Sequence, residues 1–169
     1  MSFLINIATF CVPAYWAYKT CKSAVFQVPR TWASHRFDAH QDCIDFARKE
    51  GIRGDIQIYE MSLDGSLACA FGNNSVPQSA IAIILDPACR ENGLAANACL
   101  RHEYTHIRNN DMVMRPLMTT ISSAVAAVLG VVTLNTLPAF LLTIGVGIGS
   151  HILYSRLTEN HADDVAVAH

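Results

Sequence analysis

Arg101-His102-Glu103-Tyr104-Thr105-His106 is the stretch on which the reading of this chain turns. It lies in a helical pattern expected to run from about Leu94, past the interruption at Gly93, to about Asn110. Residues four apart on a helix share a face, so His102 and His106 can aim two imidazoles at one metal ion, with Glu103 beside them. Zinc accepts imidazole nitrogen, and a catalytic zinc site keeps one position for water. A neighbouring carboxylate takes the proton of that water as it attacks an amide carbonyl, which is peptidase chemistry. The competing reading is a solvated helix face that happens to carry two histidines.

Downstream, no Asp, Glu, Lys or Arg occurs from Leu117 to Ser150, and Asn135-Thr136-Leu137-Pro138 breaks the run with a turn signal. Two spans of about seventeen residues each are near the lower limit for crossing a bilayer. A transmembrane hairpin is therefore expected over residues 116–154. Gly145 and Gly149 are spaced for close helix packing in it. The alternative is a pair of buried helices in a soluble protein. Gly145-Val146-Gly147-Ile148-Gly149 has neither the preceding strand nor the G-x-G-x-x-G form of a nucleotide loop, and that reading is set aside.

After the hairpin, Ser155-Arg156-Leu157-Thr158-Glu159-Asn160-His161-Ala162-Asp163 carries the next candidates. A zinc peptidase needs a third protein ligand, for which carboxylate is a standard choice, and Glu159 fits. Metal-bound histidine usually donates its other ring nitrogen to a carboxylate, and Asp163, one turn on, is placed for that task. An ordinary solvated acidic helix is the bland reading. Two spans also return the chain to the side it left, which lets Glu159 meet His102 and His106. Arg108, Arg115 and Arg156 flank the hairpin, and by the positive-inside tendency they place these segments in the cytoplasm.

Upstream, Ile56–Met61 alternates like a strand, Asp64-Gly65 marks a turn, and Leu67–Phe71 reads as a second strand. Ala80–Leu85 is a continuous apolar run, expected to be the more buried strand. His35 to Gly51 reads as an amphipathic helix with Phe37, Cys43, Ile44 and Phe46 towards a core and Gly51 as its stop. His35 and His40 are read as surface histidines rather than ligands. Phe3–Tyr18 is an apolar run closed by Lys19 and Lys22, and residues 1–22 are expected to form an N-terminal membrane anchor. A signal peptide and a buried soluble helix are its alternatives. The basic residues after this run again favour a cytoplasmic location for the segment beyond it.

Composition agrees. Of the 169 residues, 51% are hydrophobic and only 15% charged, against about a quarter charged in soluble domains. A net charge of −2 gives no electrostatic case for nucleic acid. The six cysteines have irregular spacing without a C-x-x-C pair, which suits a reducing compartment better than a secreted disulfide scaffold.

The stretch from His102 to Val113, with Asn and Asp after the second His, resembles the HtpX-type and CAAX-prenyl-type integral-membrane zinc peptidases, a gluzincin family. So does Arg156-Leu157-Thr158-Glu159-Asn160-His161-Ala162-Asp163, which is similar to the family's R-x-x-E-x-x-A-D pattern. Cys69-Ala70-Phe71-Gly72 resembles its N-A-F-A-x-G strand, with Cys where Asn is usual. The resemblance covers about residues 50 to 165. It implies an α+β, zincin-like catalytic domain in two parts, residues 35–115 and 155–169, around the inserted transmembrane hairpin. It implies Zn2+ on His102, His106 and Glu159, Glu103 as general base, Asp163 behind a ligand, and Asp111 and Arg156 in support. The strand at Ala70 and Phe71 would border the cleft, where an extended polypeptide substrate could add as a strand. No side chain is assigned to the oxyanion; His161, Tyr154 and Arg156 are candidates.

The expectation is thus a zinc endopeptidase integral to a bilayer, such as a bacterial inner membrane, acting on misfolded or membrane-associated polypeptides from the cytoplasmic face. A prenyl-protein protease is a second enzymatic option. Family members usually continue beyond the Glu-bearing helix, whereas this sequence ends at His169, and their N-terminal membrane part is larger. Those departures keep open a catalytically inactive zinc-binding membrane protein or partner-binding module. A small membrane protein without metal requires both motif segments to be coincidental.

Overall fold

The computed structural model describes residues 2–36, 41–75, 80–90, 93–134 and 136–167. The chain is α+β and mostly helical: α1 (Ser2–Ala24), a 3-10 helix (Arg30–His35), α2 (Gln41–Lys49), β1 (Asp55–Glu60), β2 (Ala68–Phe71), β3 (Ala80–Leu85), α3 (Pro87–Arg90), α4 (Gly93–Arg108), α5 (Asp111–Thr133) and α6 (Thr136–Val167). It divides into two compact units. One comprises Met1–Lys22 and Val113–Leu157; the other comprises Ser23–Met112 and Thr158–His169.

In the second unit the three strands lie in the order β1-β3-β2, with β1 parallel and β2 antiparallel to β3. The uncharged Ala80–Leu85 run takes the centre because both of its faces are covered. Ile81 and Ile83 join Ile56, Ile58, Ala47, Ile52, Leu100, Tyr104 and Ile107 in one core. Ala82 and Ile84 join Tyr59 in a second core, against which Phe26, Val28, Trp32 and Phe71 pack. A strand buried on both faces reads as an apolar run rather than an alternation.

Helix α4 follows from the same pattern. Leu100, Tyr104 and Ile107 recur at helical spacing and are at most 4% exposed, so this face packs into the sheet core. The buried Tyr104 hydroxyl donates to the Cys43 carbonyl at 3.0 Å, which ties α4 to α2. Glu103 and the two histidines are carried on the adjoining, less buried face.

Helix α2 begins at Gln41, later than the pattern from His35 suggests; His35 belongs to the 3-10 helix and is exposed. Phe37 and His40 lie outside the described residues. Cys43, Ile44 and Phe46 do pack against the core. Gly51, at φ +86°, ends α2: its N–H bonds Arg48 O at 3.1 Å and Ile52 N–H bonds Ala47 O at 3.0 Å. This pair of bonds is a Schellman stop, and it buries Ile52.

The first unit is helical. Among the described residues two helices are long and apolar enough to cross a membrane, Asp111–Thr133 and Thr136–Val167, and α1 is not one of them. Their large apolar residues face outward, among them Ile121, Val125, Val128, Leu129, Val132, Leu141, Ile148 and Ile152. Small or hydroxylated residues are buried instead: Thr119, Ser123, Ala126, Ala127, Ala139 and Thr143. Thr119 and Thr143 return their hydroxyl protons to the carbonyls four residues back, at 2.9 and 2.8 Å, and so need no water. Gly145 and Gly149, expected at the helix contact, have open space where a Cβ would be. The close approach occurs at Gly130, where a Cβ would lie 3.1 Å from Ala139, while Gly147 faces Ser123 and Trp16 at ordinary contact distance. Helical phase explains the correction, since residues 145 and 149 share a face and residue 147 lies about 200° away from 145.

Candidate metal centre

Helix α4 supplies His102, Glu103 and His106, and the C-terminal part of α6 supplies Glu159 and Asp163. Three donor atoms converge. His102 Nε2 and His106 Nε2 are 3.0 Å apart, and Glu159 Oε2 lies 3.2 Å from the first and 3.3 Å from the second. The opposite ring nitrogens are also held: His102 Nδ1 is 2.9 Å from Asp163 Oδ1, and His106 Nδ1 is 2.7 Å from Asp111 Oδ2.

These second contacts decide the tautomers. A carboxylate accepts a hydrogen bond, so each Nδ1 carries N–H and, in the neutral ring, each Nε2 presents a lone pair. Two lone pairs and a carboxylate oxygen then face one another within 3.3 Å with no proton to share. Such an arrangement can accept a cation. An ion bound tetrahedrally at about 2.0–2.1 Å separates its donors by about 3.3 Å, so the spacing fits the group. His102, His106 and Glu159 together can hold a metal ion. The site opens outward, because the Glu159 side chain is 46% exposed while those of His102 and His106 are 22% and 14% exposed.

The two supporting carboxylates sit in different surroundings. Asp111 is 4% exposed, at the start of α5, whereas Asp163 is 69% exposed. Glu103 is shielded, and burial pushes its carboxyl above the ordinary range; the neighbouring histidines and a hydrogen bond from the Ala70 backbone pull the other way. That bond places Glu103 against β2. Leu67 O accepts from Asp86 N–H at 3.0 Å, so antiparallel alternation turns the peptide groups of Ala68 and Ala70 away from β3. β2 is an edge strand, and its outer edge runs beside Glu103.

His102, Glu103, His106, Asp111, Glu159, Asp163 and Ala70 are thus brought together. Phe71 is half-buried and turned to the other face of the sheet, stacked on Phe26 at 5.5 Å between ring centroids. Period-two alternation puts it there, so of the two β2 residues Ala70 alone adjoins Glu103. Arg156 is exposed and falls, with Tyr154, in the helical unit, while His161 is exposed one turn along α6 from Thr158. Sequence reasoning did not find the role of the Ala70 N–H or of Asn110, which has the left-handed φ of +56° between α4 and α5. An Asn followed by a helix-starting Asp was the available signal for the second. No family of known proteins, curated protein or solved structure matches the chain.

Proposed function

We propose that this chain is a membrane-bound zinc endopeptidase. The observation that carries the reading is the converging trio of His102, His106 and Glu159, with both Nδ1 atoms held by carboxylates and a half-buried Glu103 alongside. Two imidazoles and one carboxylate at tetrahedral spacing suit zinc, and an open outer side suits a catalytic rather than a structural site. Zinc bound there would polarise a peptide carbonyl and lower the pKa of water.

The chain's own residues perform the rest. Asp163 and Asp111 keep the imidazoles in the metal-binding tautomer. Glu103 takes the proton of the attacking water at its carboxylate and delivers it to the departing amine. Its raised affinity for protons, a consequence of burial, suits both transfers. The outer edge of β2 offers the Ala68 N–H and the Ala68 and Ala70 carbonyls to an extended polypeptide, which would set the scissile bond beside Glu103. The outward apolar faces of α5 and α6 support insertion in a bilayer, with hydroxyls and small residues at the helix contacts. The basic flanks of the hairpin favour the cytoplasmic side for the site.

The test is cleavage of an unfolded protein by zinc-loaded chain in detergent, beside Glu103→Gln. Zinc binding is expected to persist in the variant while turnover falls at least 100-fold. Equal turnover by the zinc-loaded variant would refute the mechanism. Tight zinc binding by both proteins, without cleavage by either, would replace the peptidase with a non-catalytic zinc protein.

A further inference from the structure

Asn110 is the one non-glycine residue with positive φ among those described, and it sits between the metal-bearing helix and Asp111. Its N–H bonds Ile107 O at 3.0 Å, which closes α4 with a left-handed residue, and α5 begins at once. The reversal is sharp enough that Asp111, the next residue, returns its carboxylate to His106 Nδ1 at 2.7 Å.

Glycine would satisfy that backbone with less strain. Asparagine adds a carbonyl, and the structure uses it. Asn110 Oδ1 accepts two backbone N–H groups from the segment after β2, Asn74 at 2.8 Å and Ser75 at 3.1 Å. Asn74 continues the chain of bonds: its Oδ1 accepts from Arg53 N–H at 2.7 Å and its Nδ2 donates to Gly51 O at 3.2 Å. Asn73 Oδ1 also accepts from Ser75 N–H, at 2.9 Å.

Glu103 adjoins the same strand at Ala70, one residue before its C-terminal end. Two residues of the metal-bearing segment therefore meet this stretch in succession, Glu103 at Ala70 and Asn110 at Asn74 and Ser75.

We propose that Asn110 is a positioning residue with two separable tasks: its backbone turns Asp111 onto His106, and its side chain sets the register of β2 against α4. The proposal rests on the peptidase reading of the site, in which β2 receives the substrate. Asn110 touches neither metal donors nor substrate. It acts through Asp111 on the one side and through Asn74 and Ser75 on the other.

Three substitutions separate the tasks. Asn110→Gly keeps the left-handed backbone and deletes the acceptor. Asn110→Ala loses both, and Asn110→Asp keeps an acceptor on a residue that tolerates this φ. Zinc affinity by chelator competition reads the first task, and amide hydrogen exchange at Asn74 and Ser75 reads the second. Zinc affinity is expected to fall about tenfold in Asn110→Ala and to stay within about threefold of the parent in Asn110→Gly and Asn110→Asp. Exchange at Asn74 should accelerate at least tenfold in the Gly and Ala variants, relative to the core amide of Leu100, with protection restored in Asp; Ser75, whose N–H also bonds Asn73 Oδ1, should respond less. With a cleavable peptide, Asn110→Gly should raise KM more than it lowers kcat.

Equal zinc loss in Gly and Ala overturns the backbone task, and unchanged exchange in Gly overturns the side-chain task. If the parent protein binds no zinc, the metal reading and the backbone task fall together, while exchange still decides the side-chain task. If zinc and exchange behave as expected but no peptide is cleaved, only the link to substrate is lost.

Discussion

Asp111 and Asp163 perform the same bond in opposite surroundings, and their unequal loss on substitution is the sharpest consequence of the geometry. Each accepts a hydrogen bond from the Nδ1 of one histidine, at 2.7 Å for Asp111 and 2.9 Å for Asp163. Asp111 is 4% exposed and its histidine 14%, so water cannot replace the carboxylate when it is removed. Asp163 is 69% exposed, and water can take its place beside His102. A shielded charge-assisted hydrogen bond contributes about 1.5–3 kcal/mol, against about 0.2–1 kcal/mol for an exposed pair. Asp111→Ala is therefore expected to weaken zinc binding about 10- to 150-fold, and Asp163→Ala by about fivefold or less. Chelator competition on the purified protein at fixed pH measures both. Because Asp111 also begins α5, circular dichroism must first show that helix content is retained, and Asp111→Asn serves as the milder variant. Equal losses, or a larger loss at Asp163, would refute the argument that shielding sets the strength of these contacts.

Val128 distinguishes a membrane helix from a soluble one. It is 53% exposed on α5, so Val128→Arg costs little in water but about 2.5–3.5 kcal/mol within a bilayer. Carbonate-resistant membrane association should fall in the variant; an unchanged, soluble protein would refute the bilayer reading. Gly72, at φ +143°, has no room for a side chain, since a Cβ would lie 2.8 Å from Ile81 Cγ1 and 2.9 Å from Ala80 O. Gly72→Ala is expected to destabilise the sheet unit by about 3 kcal/mol in denaturant titration. Gly65→Ala, at φ +81° with open space around it, should cost only about 1 kcal/mol.

Much of the site is legible in the sequence, for reasons of helical geometry. His102, Glu103 and His106 are within one turn and a half of one another, so their common face follows from the repeat of 3.6 residues. Glu159 and Asp163 stand one turn apart on α6 for the same reason. The charge-free stretch after Leu117 likewise announces two long apolar helices, because hydropathy accumulates along the chain without regard to partners.

Other features depend on what meets in space. Ala80–Leu85 is recognisable as a buried strand, but its place between β1 and β2 comes from two cores closing on its two faces. The outward phase of Gly145 and Gly149, and the use of Gly130 and Gly147 instead, depends on which helix faces touch. Asn110 has no helical or strand period to betray it, since its role comes from meeting Asn74 and Ser75 across 36 and 35 residues. By itself, then, the sequence determined which residues share a helix face and where the apolar helices fall, because those depend on a local period. Tertiary structure alone decided the central strand, the shielding that separates Asp111 from Asp163, and the hold of Asn110 on β2, because each is a contact between segments whose separation along the chain carries no periodic signal.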